Sequence, residues 1–286
     1  MSKLLKWAVP AACLFAALHC QNLQTAELQD DGFAAYKASL VRETDSENAD
    51  GSLVAGGYIV DDDFVEQSDE GLRQYYEEYV LPLQNNSAAI ASQDLIVDRV
   101  ASRDDKWNVT QRRSVTYCVS DKFKTHKAAV VSAMQTAMAA WENAADMNYT
   151  YLAQEDAACD PKNTRVTFDV RPTARAGYLA RSFFPHNIRK ERNILIDATA
   201  FQVKSPLTLA GILRHELGHT LGFRHEHTRP QAGTKCYEDA NWRPLTSYDS
   251  ASVMHYPQCN GTGDWALTLT AKDIAGVQKL YGSPNR

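Results

Sequence analysis

The sequence has few of the features that mark fibrous, disordered or membrane-embedded proteins. It has 14 glycines and 10 prolines among 286 residues, and its mean hydropathy is −0.42. These values argue against collagen-like repetition, wholesale disorder and a protein with several membrane spans. The sequence contains no internal repeats, and the basic residues of its second half are scattered, which argues against a nucleic-acid partner. The length suits one large domain or two modest ones.

No pair of cysteines has the CxxC spacing of zinc-binding cysteines, although six cysteines are present. Two of the six lie within the first twenty residues. The other four form an even set, which in an exported chain predicts two disulfides with three connectivities. We expect the nearest-neighbour pairs Cys118–Cys159 and Cys236–Cys259, because each pair closes a modest loop.

The first twenty residues predict export. Lys3 and Lys6 precede an apolar run from Trp7 to Leu18. A short basic stretch before about 12 apolar residues is typical of a secretory signal and is too short to span a bilayer. Cys20 resembles the cysteine of a bacterial lipoprotein signal. We therefore expect a secreted or cell-envelope protein, with a lipid anchor at Cys20 as the one contact with a membrane.

Charge is distributed unevenly along the chain, although the formal net charge is −5. Residues 21–105 carry 19 acidic and 5 basic side chains, a net charge of −14, whereas residues 106–286 carry 16 acidic and 23 basic ones, a net charge of +7. We interpret residues 21–103 as an acidic propeptide and residues 104–286 as a compact catalytic domain. Opposite charge would favour docking of the first on the second.

The hydrophobic pattern predicts a domain with both helices and strands. Residues 126–145 have apolar side chains at spacings of three and four, which is typical of a helix with one buried stripe. Further helices are expected over residues 71–83, 205–222 and 271–280. Alternating or apolar runs predict strands over residues 114–119, 164–170, 177–183 and 193–197.

The segment HELGHTLGFRH, residues 215–225, indicates the chemistry. His215 and His219 are four apart on a predicted helix, so both project from one face and suit two nitrogens on one Zn²⁺. Gly222 can take the left-handed conformation that ends the helix, which lets His225 return to the same metal. Three imidazoles leave a fourth position for water, as in catalytic zinc sites. Glu216 can take a proton from the attacking water and pass it to the leaving amine.

The extended motif HExxHxxGxxH is that of the metzincin metalloproteases, and its surroundings resemble the astacin branch. Residues 252–256, with the sequence SVMHY, resemble the Met-turn of that branch. The resemblance implies that Met254 lies beneath the zinc as an apolar floor. It also implies that Tyr256 stabilises the transition state, where a phenol donates a hydrogen bond to the developing oxyanion. The short interval before the Met-turn fits a secreted protein of bacterial type.

The acidic part of the chain resembles an astacin propeptide, in which an aspartate occupies the zinc. Residues 58–60 form a short apolar run that leads into Asp61, Asp62 and Asp63. The resemblance implies that Asp63 blocks the metal, with Asp61 and Asp62 as alternatives, because a carboxylate oxygen can displace the nucleophilic water. The propeptide would then be an intramolecular inhibitor until cleavage within residues 99–105 removes it.

Together these features predict an α+β, two-lobed metzincin fold, with a mixed sheet and the active-site helix above a cleft and a mainly irregular lobe below. The predicted function is that of a zinc-dependent endopeptidase made as a zymogen, with one catalytic Zn²⁺ and polypeptide substrates. By analogy with the family, residues 177–183 are the candidate edge strand for an extended substrate. Two alternatives stay open, a surface-tethered adhesion protein with a structural zinc and a non-peptidase zinc amidohydrolase. Three further histidines are not expected to bind the metal: His126, His186 and His227.

Overall fold

The computed structural model describes residues 32–38, 40, 42, 46–47, 53–54, 57–60, 64–66, 69–76, 95–174, 177–233, 236 and 241–285. The predicted signal segment with Cys20 and the aspartates Asp61, Asp62 and Asp63 lie outside the described residues. The chain divides into two compact units, Met1–Val41 and Arg42–Arg286. In the first unit, residues 32–38 form a helix, α1.

The second unit contains the other described elements. Its helices are α2 (Asp69–Tyr75), α3 (Val109–Arg112), α4 (Lys127–Ala144), α5 (Leu209–Thr220) and α6 (Ala271–Tyr281). Its strands are β1 (Ser46–Glu47), β2 (Leu53–Val54), β3 (Tyr58–Val60), β4 (Phe64–Glu66), β5 (Ile96–Val100), β6 (Arg103–Asp104), β7 (Val115–Val119), β8 (Tyr149–Tyr151), β9 (Phe168–Thr173), β10 (Ala180–Arg181), β11 (Asn193–Asp197) and β12 (Trp242–Pro244). Short 3₁₀ helices lie at Asp121–His126, Ala153–Ala158, Arg189–Glu191, Ala198–Phe201, Glu226–Thr228, Pro230–Ala232 and Pro257–Cys259.

The largest sheet is mixed and has five strands in the order β10-β11-β9-β7-β8. Strand β10 is antiparallel to β11, and the other neighbours are parallel. Helix α4 connects the parallel neighbours β7 and β8, which is the arrangement that parallel strands require. The predicted apolar stripe of this helix is confirmed, because its members are at most 3% exposed: Val130, Met134, Met138 and Trp141.

Helix α4 packs on helix α5 and so supports the segment that carries the zinc motif. The indole Nε1 of Trp141 donates a hydrogen bond of 3.0 Å to the carbonyl oxygen of Arg214 on α5. The same indole stacks on Phe223, with ring centroids 5.6 Å apart. Strand β10 lies at one edge of the five-stranded sheet, as expected for residues 177–183, although only Ala180 and Arg181 pair.

A smaller antiparallel sheet, β12-β5-β6, includes strand β5, which lies just before the predicted catalytic domain in the sequence. Leu95, Ile96 and Val97 are at most 1% exposed and belong to the core. The backbone of Leu95 accepts a hydrogen bond from Leu245 and donates one to the hydroxyl of Thr246. The predicted domain boundary at residues 103/104 therefore falls inside the β5–β6 hairpin.

The α+β fold class is confirmed by this combination of a mixed sheet and packed helices. Between Phe223 and Thr270, the described residues form one strand, β12, and three 3₁₀ turns, which agrees with the irregular lobe predicted there.

Both predicted disulfides are present, Cys118–Cys159 and Cys236–Cys259. Within the described part of the chain, no helix combines the length and the apolar character needed to cross a membrane.

Candidate metal centre

Helix α5 is defined at both ends by local sequence. Thr208 caps its start, with the hydroxyl accepting a hydrogen bond of 3.0 Å from the Gly211 N–H, so the helix is shorter than the predicted span of 205–222. At its end, Gly222 has φ +89° and donates to the carbonyl of His219 at 2.8 Å. The prediction that Gly222 turns the chain is confirmed. The turn returns His225 to the face that carries the two helical histidines.

The structure brings His215, His219 and His225 together. The Nε2 atom of His215 lies 3.1 Å from Nε2 of His225 and 3.2 Å from Nε2 of His219. The three side chains are buried, with exposures of 3%, 0% and 1%. Four tetrahedral ligands at about 2.05 Å from a zinc ion are about 3.3 Å apart. The spacing of the imidazole nitrogens therefore fits one zinc ion.

Backbone carbonyls fix the orientation of two of these rings. Nδ1 of His215 donates to the oxygen of Val253 at 2.7 Å, and Nδ1 of His219 donates to the oxygen of Phe223 at 2.8 Å. Because a carbonyl can only accept, each Nδ1 carries the proton and each Nε2 presents a lone pair. Lone pairs 3.2 Å apart repel one another unless a cation lies between them. The donor set thus matches a divalent metal, and its outer contacts are those of metal-binding histidines.

A cavity of about 230 Å³ opens beside the triad. It is lined by His215 and Glu216 from α5, by the ring of Tyr256, and by apolar side chains. Glu216 is only 3% exposed. The Tyr256 ring is half-buried, and its centroid lies 4.6 Å from that of His225 and 5.2 Å from that of His215. The predicted general base and the predicted oxyanion donor therefore lie beside the same three imidazoles.

Met254 is fully buried beneath the helix that carries the first two histidines. A Cβ placed on Gly218 would lie 2.3 Å from its sulfur, so the methionine reaches the helix only because residue 218 is glycine. The carbonyl of Met254 also accepts a hydrogen bond of 2.7 Å from the Glu226 N–H. Met254 thus packs against α5 at Gly218, and its role as an apolar floor beneath the zinc stays a prediction of the Met-turn resemblance.

A second group, Asp98, Asp105 and His186, also has its ligand atoms within 4.8 Å of one another. Its geometry is that of hydrogen bonding, because Nδ1 of His186 lies 2.6 Å from a carboxylate oxygen of Asp105. The His186 N–H donates to the same oxygen at 3.2 Å, and the Arg224 guanidinium lies 3.5 Å from Asp98. We interpret this group as an ion-pair network that holds the loop of His186 against the β5–β6 hairpin.

Two buried carboxyl groups support the site from behind: Glu226, which directly follows the third histidine as in the astacin branch, and Asp273, which sequence reasoning did not identify. Asp273 on α6 is fully buried and accepts hydrogen bonds from the Ser252 hydroxyl at 2.5 Å and the Val253 N–H at 3.0 Å. Burial raises the pKa of Asp273. Glu226 is also fully buried, and Arg229 contacts it at 2.9 Å. Burial raises the pKa of Glu226 to about 8, against the lowering effect of the arginine.

Comparison with known proteins identifies similar sequences. The profile of the Matrixin family matches residues 106–256, just over half of the chain. The chain is 37% identical over 82 residues to zinc metalloproteinase nas-30 of Caenorhabditis elegans, a match that covers 22% of this chain and 11% of that protein. It is 36% identical over 64 residues to high choriolytic enzyme 2 of Oryzias latipes, covering 16% of this chain and 22% of that protein. The chain thus spans less than a quarter of the length of either curated relative.

Two solved structures are similar over about two thirds of the chain. Myroilysin has a TM-score of 0.44 at 19% identity, covering 65% of this chain and 98% of that one. High choriolytic enzyme 1, a hatching enzyme zinc-protease from Oryzias latipes (medaka fish), has a TM-score of 0.43 at 18% identity, covering 65% of this chain and 99% of that one.

Proposed function

Because this chain belongs to the matrixin family, whose members are metzincin-type zinc metalloproteases, we propose that it is a zinc-dependent endopeptidase made as a zymogen. The observation that carries this proposal is the convergence of three imidazole Nε2 atoms beside a buried carboxyl group. Two of these imidazoles are fixed by backbone carbonyls, so the set is organised before any substrate arrives. Polypeptides are the substrate class that follows.

His215, His219 and His225 would hold the metal, each through Nε2. When bound, a zinc ion at this position polarises a substrate carbonyl and lowers the pKa of a water molecule. The three rings are neutral donors, so the positive charge of the ion would be retained at the site. Their near-complete burial keeps bulk water from competing for the ligands.

Glu216 is the general base in this proposal. It follows His215 on α5. Because successive side chains on a helix point roughly 100° apart, Glu216 lies beside the ligand face and lines the cavity. Its carboxylate would take a proton from the attacking water and deliver it to the leaving amine nitrogen. A site that holds zinc only for structure has no use for such a base, which is why we favour catalysis over adhesion.

Tyr256 is the proposed transition-state stabiliser. Its ring contacts two of the three imidazoles and lines the cavity beside Glu216. A phenol hydroxyl at this point can donate a hydrogen bond to the oxygen that becomes negative when the carbonyl carbon is attacked. The donor acts on charge that develops only in the transition state, so it raises kcat more than it improves binding.

The cavity and the edge of the sheet suggest how a polypeptide binds. Among the strands of the described residues, β10 has a neighbour on one side only, and an extended chain could pair with its other side. Beside His215 and Glu216, the cavity wall includes the apolar side chains of Leu207, Ile212, Leu267 and Trp265. We infer that an apolar side chain next to the scissile bond is accommodated there.

We also propose that the acidic segment before the catalytic unit is an inhibitory propeptide and that Asp63 blocks the metal, with Asp61 and Asp62 as alternatives. The support is the charge difference between the two parts of the sequence and the resemblance of residues 58–64 to such a switch. Strand β5 is buried in the core, so we infer that the catalytic unit begins at or before Leu95. Cleavage at Arg99 or Arg103 would cut within the hairpin.

Export through residues 1–20 is part of the same proposal, with Cys20 as the site of a lipid anchor in its membrane-tethered form. Incorporation of labelled palmitate into the expressed protein tests the anchor. Incorporation that is lost in Cys20→Ser would support it, whereas an unlabelled protein would leave secretion as the only route.

The experiment that tests the function uses the purified precursor and gelatin, with and without a chelator. We expect slow gelatin cleavage that stops on chelation and returns when zinc is added. Small amides and esters are offered in parallel, because a non-peptidase zinc hydrolase would cut these and leave gelatin intact. Sequencing the N-terminus of the mature enzyme locates the activation cleavage in the same samples.

A further inference from the structure

His227 lies against the metal site without belonging to the imidazole triad. It is 2% exposed, and its ring stacks on that of His225, with centroids 4.6 Å apart and planes 18° apart. The His227 ring also contacts that of Tyr256, with ring centroids 4.8 Å apart. Because the rings of His225 and Tyr256 are also in contact, with centroids 4.6 Å apart, the three rings form one cluster in which each contacts the other two.

A hydrogen bond joins His227 to the backbone of Tyr256. The Tyr256 N–H donates to Nδ1 of His227 at 3.2 Å. Because a backbone N–H can only donate, Nδ1 is the acceptor nitrogen of the ring. The residues are 29 apart in sequence, so this bond ties the segment after the third histidine to the end of the Met-turn.

The other backbone polar group of Tyr256 is held by a histidine as well. Nδ1 of His255 lies 3.0 Å from the Tyr256 oxygen and donates to it. Nε2 of His255 then accepts from the Tyr248 hydroxyl at 2.9 Å. Pro257 follows Tyr256, and a residue before proline is restricted to extended backbone, which the observed φ of −70° and ψ of 122° match. Both peptide groups and both backbone torsions of Tyr256 are thus fixed.

We propose that His227 is a positioning residue that sets the location of the Tyr256 hydroxyl by holding the tyrosine backbone. The proposal rests on the proposed function, since it assigns His227 a part in the reaction through Tyr256. A misplaced hydroxyl loses its hydrogen bond to the developing oxyanion but leaves substrate binding intact. Loss of the His227 contact should therefore lower kcat and leave KM and zinc content unchanged.

Two substitutions separate the contribution of the His227 hydrogen bond from that of its ring contacts. In His227→Asn, the side-chain oxygen is as many bonds from Cα as Nδ1, so it can accept the same Tyr256 N–H. In His227→Phe, the ring contacts with His225 and Tyr256 persist and the acceptor is lost. We expect the asparagine variant to have a kcat within about threefold of wild type. We expect the phenylalanine variant to lose about tenfold or more in kcat, because removal of an oxyanion donor altogether costs about 10²-fold. If His227→Phe does not fold, His227→Leu carries the same test, because leucine also lacks an acceptor and is smaller.

A double-mutant cycle with Tyr256→Phe decides whether His227 acts through the tyrosine. The assay uses the zinc-loaded mature enzyme and a peptide that spans a bond cut in gelatin. We expect His227→Phe to have no further effect on kcat once Tyr256 is phenylalanine. An equal loss in both backgrounds, loss of zinc in His227→Phe, or an asparagine variant as slow as the phenylalanine variant would overturn the inference alone. A zinc-loaded wild type that cuts no polypeptide would overturn the proposed function, and this inference with it.

Discussion

Nδ1 of His215 donates a hydrogen bond of 2.7 Å to the carbonyl oxygen of Val253, the residue before Met254 in the Met-turn. The N–H of Val253 is in turn held at 3.0 Å by Asp273 of helix α6. The first helical histidine is therefore oriented by the C-terminal helix through a single residue of the Met-turn. In this chain the zinc motif supplies the imidazole, and the Met-turn fixes the orientation of its ring.

Gly222→Ala should destabilise the protein strongly. The residue has φ +89°, and an added Cβ would lie 1.9 Å from the carbonyl oxygen of Asp105. The strained torsion and the overpacking should together cost about 2–5 kcal/mol, as measured by chemical denaturation. Gly282→Ala is the matched control, because it has φ +85° and no atom within 4 Å of the added carbon. Equal losses for the two variants would show that the contact with Asp105 has no energetic role.

A chain that begins at Leu95 should fold, and one that begins at Asp105 should not. The shorter chain lacks strand β5, and with it the buried side chains of Leu95, Ile96 and Val97. Burial of each contributes about 1.5–3 kcal/mol, so their loss is comparable with the whole stability of a typical domain. Circular dichroism and zinc content of the two purified chains provide the measurement. A stable, zinc-binding chain from Asp105 onward would return the domain boundary to residues 103/104.

Much of the fold could be predicted from the local hydrophobic pattern of the sequence. The elements whose bounds differ from the prediction show what that pattern does not determine. Helix α4 was predicted over residues 126–145 and is found at Lys127–Ala144, because its apolar stripe is continuous. The strand predicted over residues 164–170 is β9, at Phe168–Thr173, and it extends through Pro172. Proline is tolerated there because the pairing of β9 with β7 ends at Val170, so no donor is required on that side.

The residues of the site likewise fall into those that a local pattern predicts and those that depend on distant contacts. The zinc motif could be identified from sequence because a helix places residues four apart on one face, and Gly222 indicates the turn that returns His225. Asp273 and the pair His186–Asp105 could not, since each depends on contacts with residues at least 20 positions away along the chain. Strand β5 was missed because its acidic surroundings resemble a propeptide, whereas its burial depends on pairing with the distant strand β12.

Asp104→Asn should lower stability at neutral pH and have little effect in acid. The Arg243 guanidinium hydrogen-bonds this carboxyl group and lowers its pKa below the usual value of 3.8. A lowered folded-state pKa gives stability that is present above the unfolded value and is lost as the pH falls through the folded value. The pair is partly exposed, so we expect a difference of up to about 1 kcal/mol at pH 7. Urea denaturation of wild type and variant should give converging free energies of unfolding below about pH 4.

The matched control for that pair is Arg243→Gln combined with Asp104→Asn. If the pair accounts for the effect, the double variant should be no less stable than Asp104→Asn alone. A difference between wild type and Asp104→Asn that persists unchanged at pH 3 would contradict the assignment.

Asp63→Ala should speed self-activation of the precursor. If its carboxylate blocks the metal, its removal lets water reach the triad and permits cleavage of the propeptide. The rate of conversion from precursor to mature enzyme on a denaturing gel gives the measurement. Asp61→Ala and Asp62→Ala are the matched controls, since each removes one carboxylate from the same run. An unchanged rate in Asp63→Ala with acceleration in a neighbour would move the role to that neighbour, and no acceleration in any variant would remove it.

The most direct test of the account is Glu216→Gln, purified beside the wild type and assayed for bound zinc and for hydrolysis of gelatin. Glutamine keeps the size of the side chain and the three histidines but cannot take a proton, so one zinc per chain should remain while hydrolysis falls by at least about 10²-fold. A variant that holds its zinc and still cuts gelatin at the rate of the wild type would contradict the assignment of Glu216 as the general base.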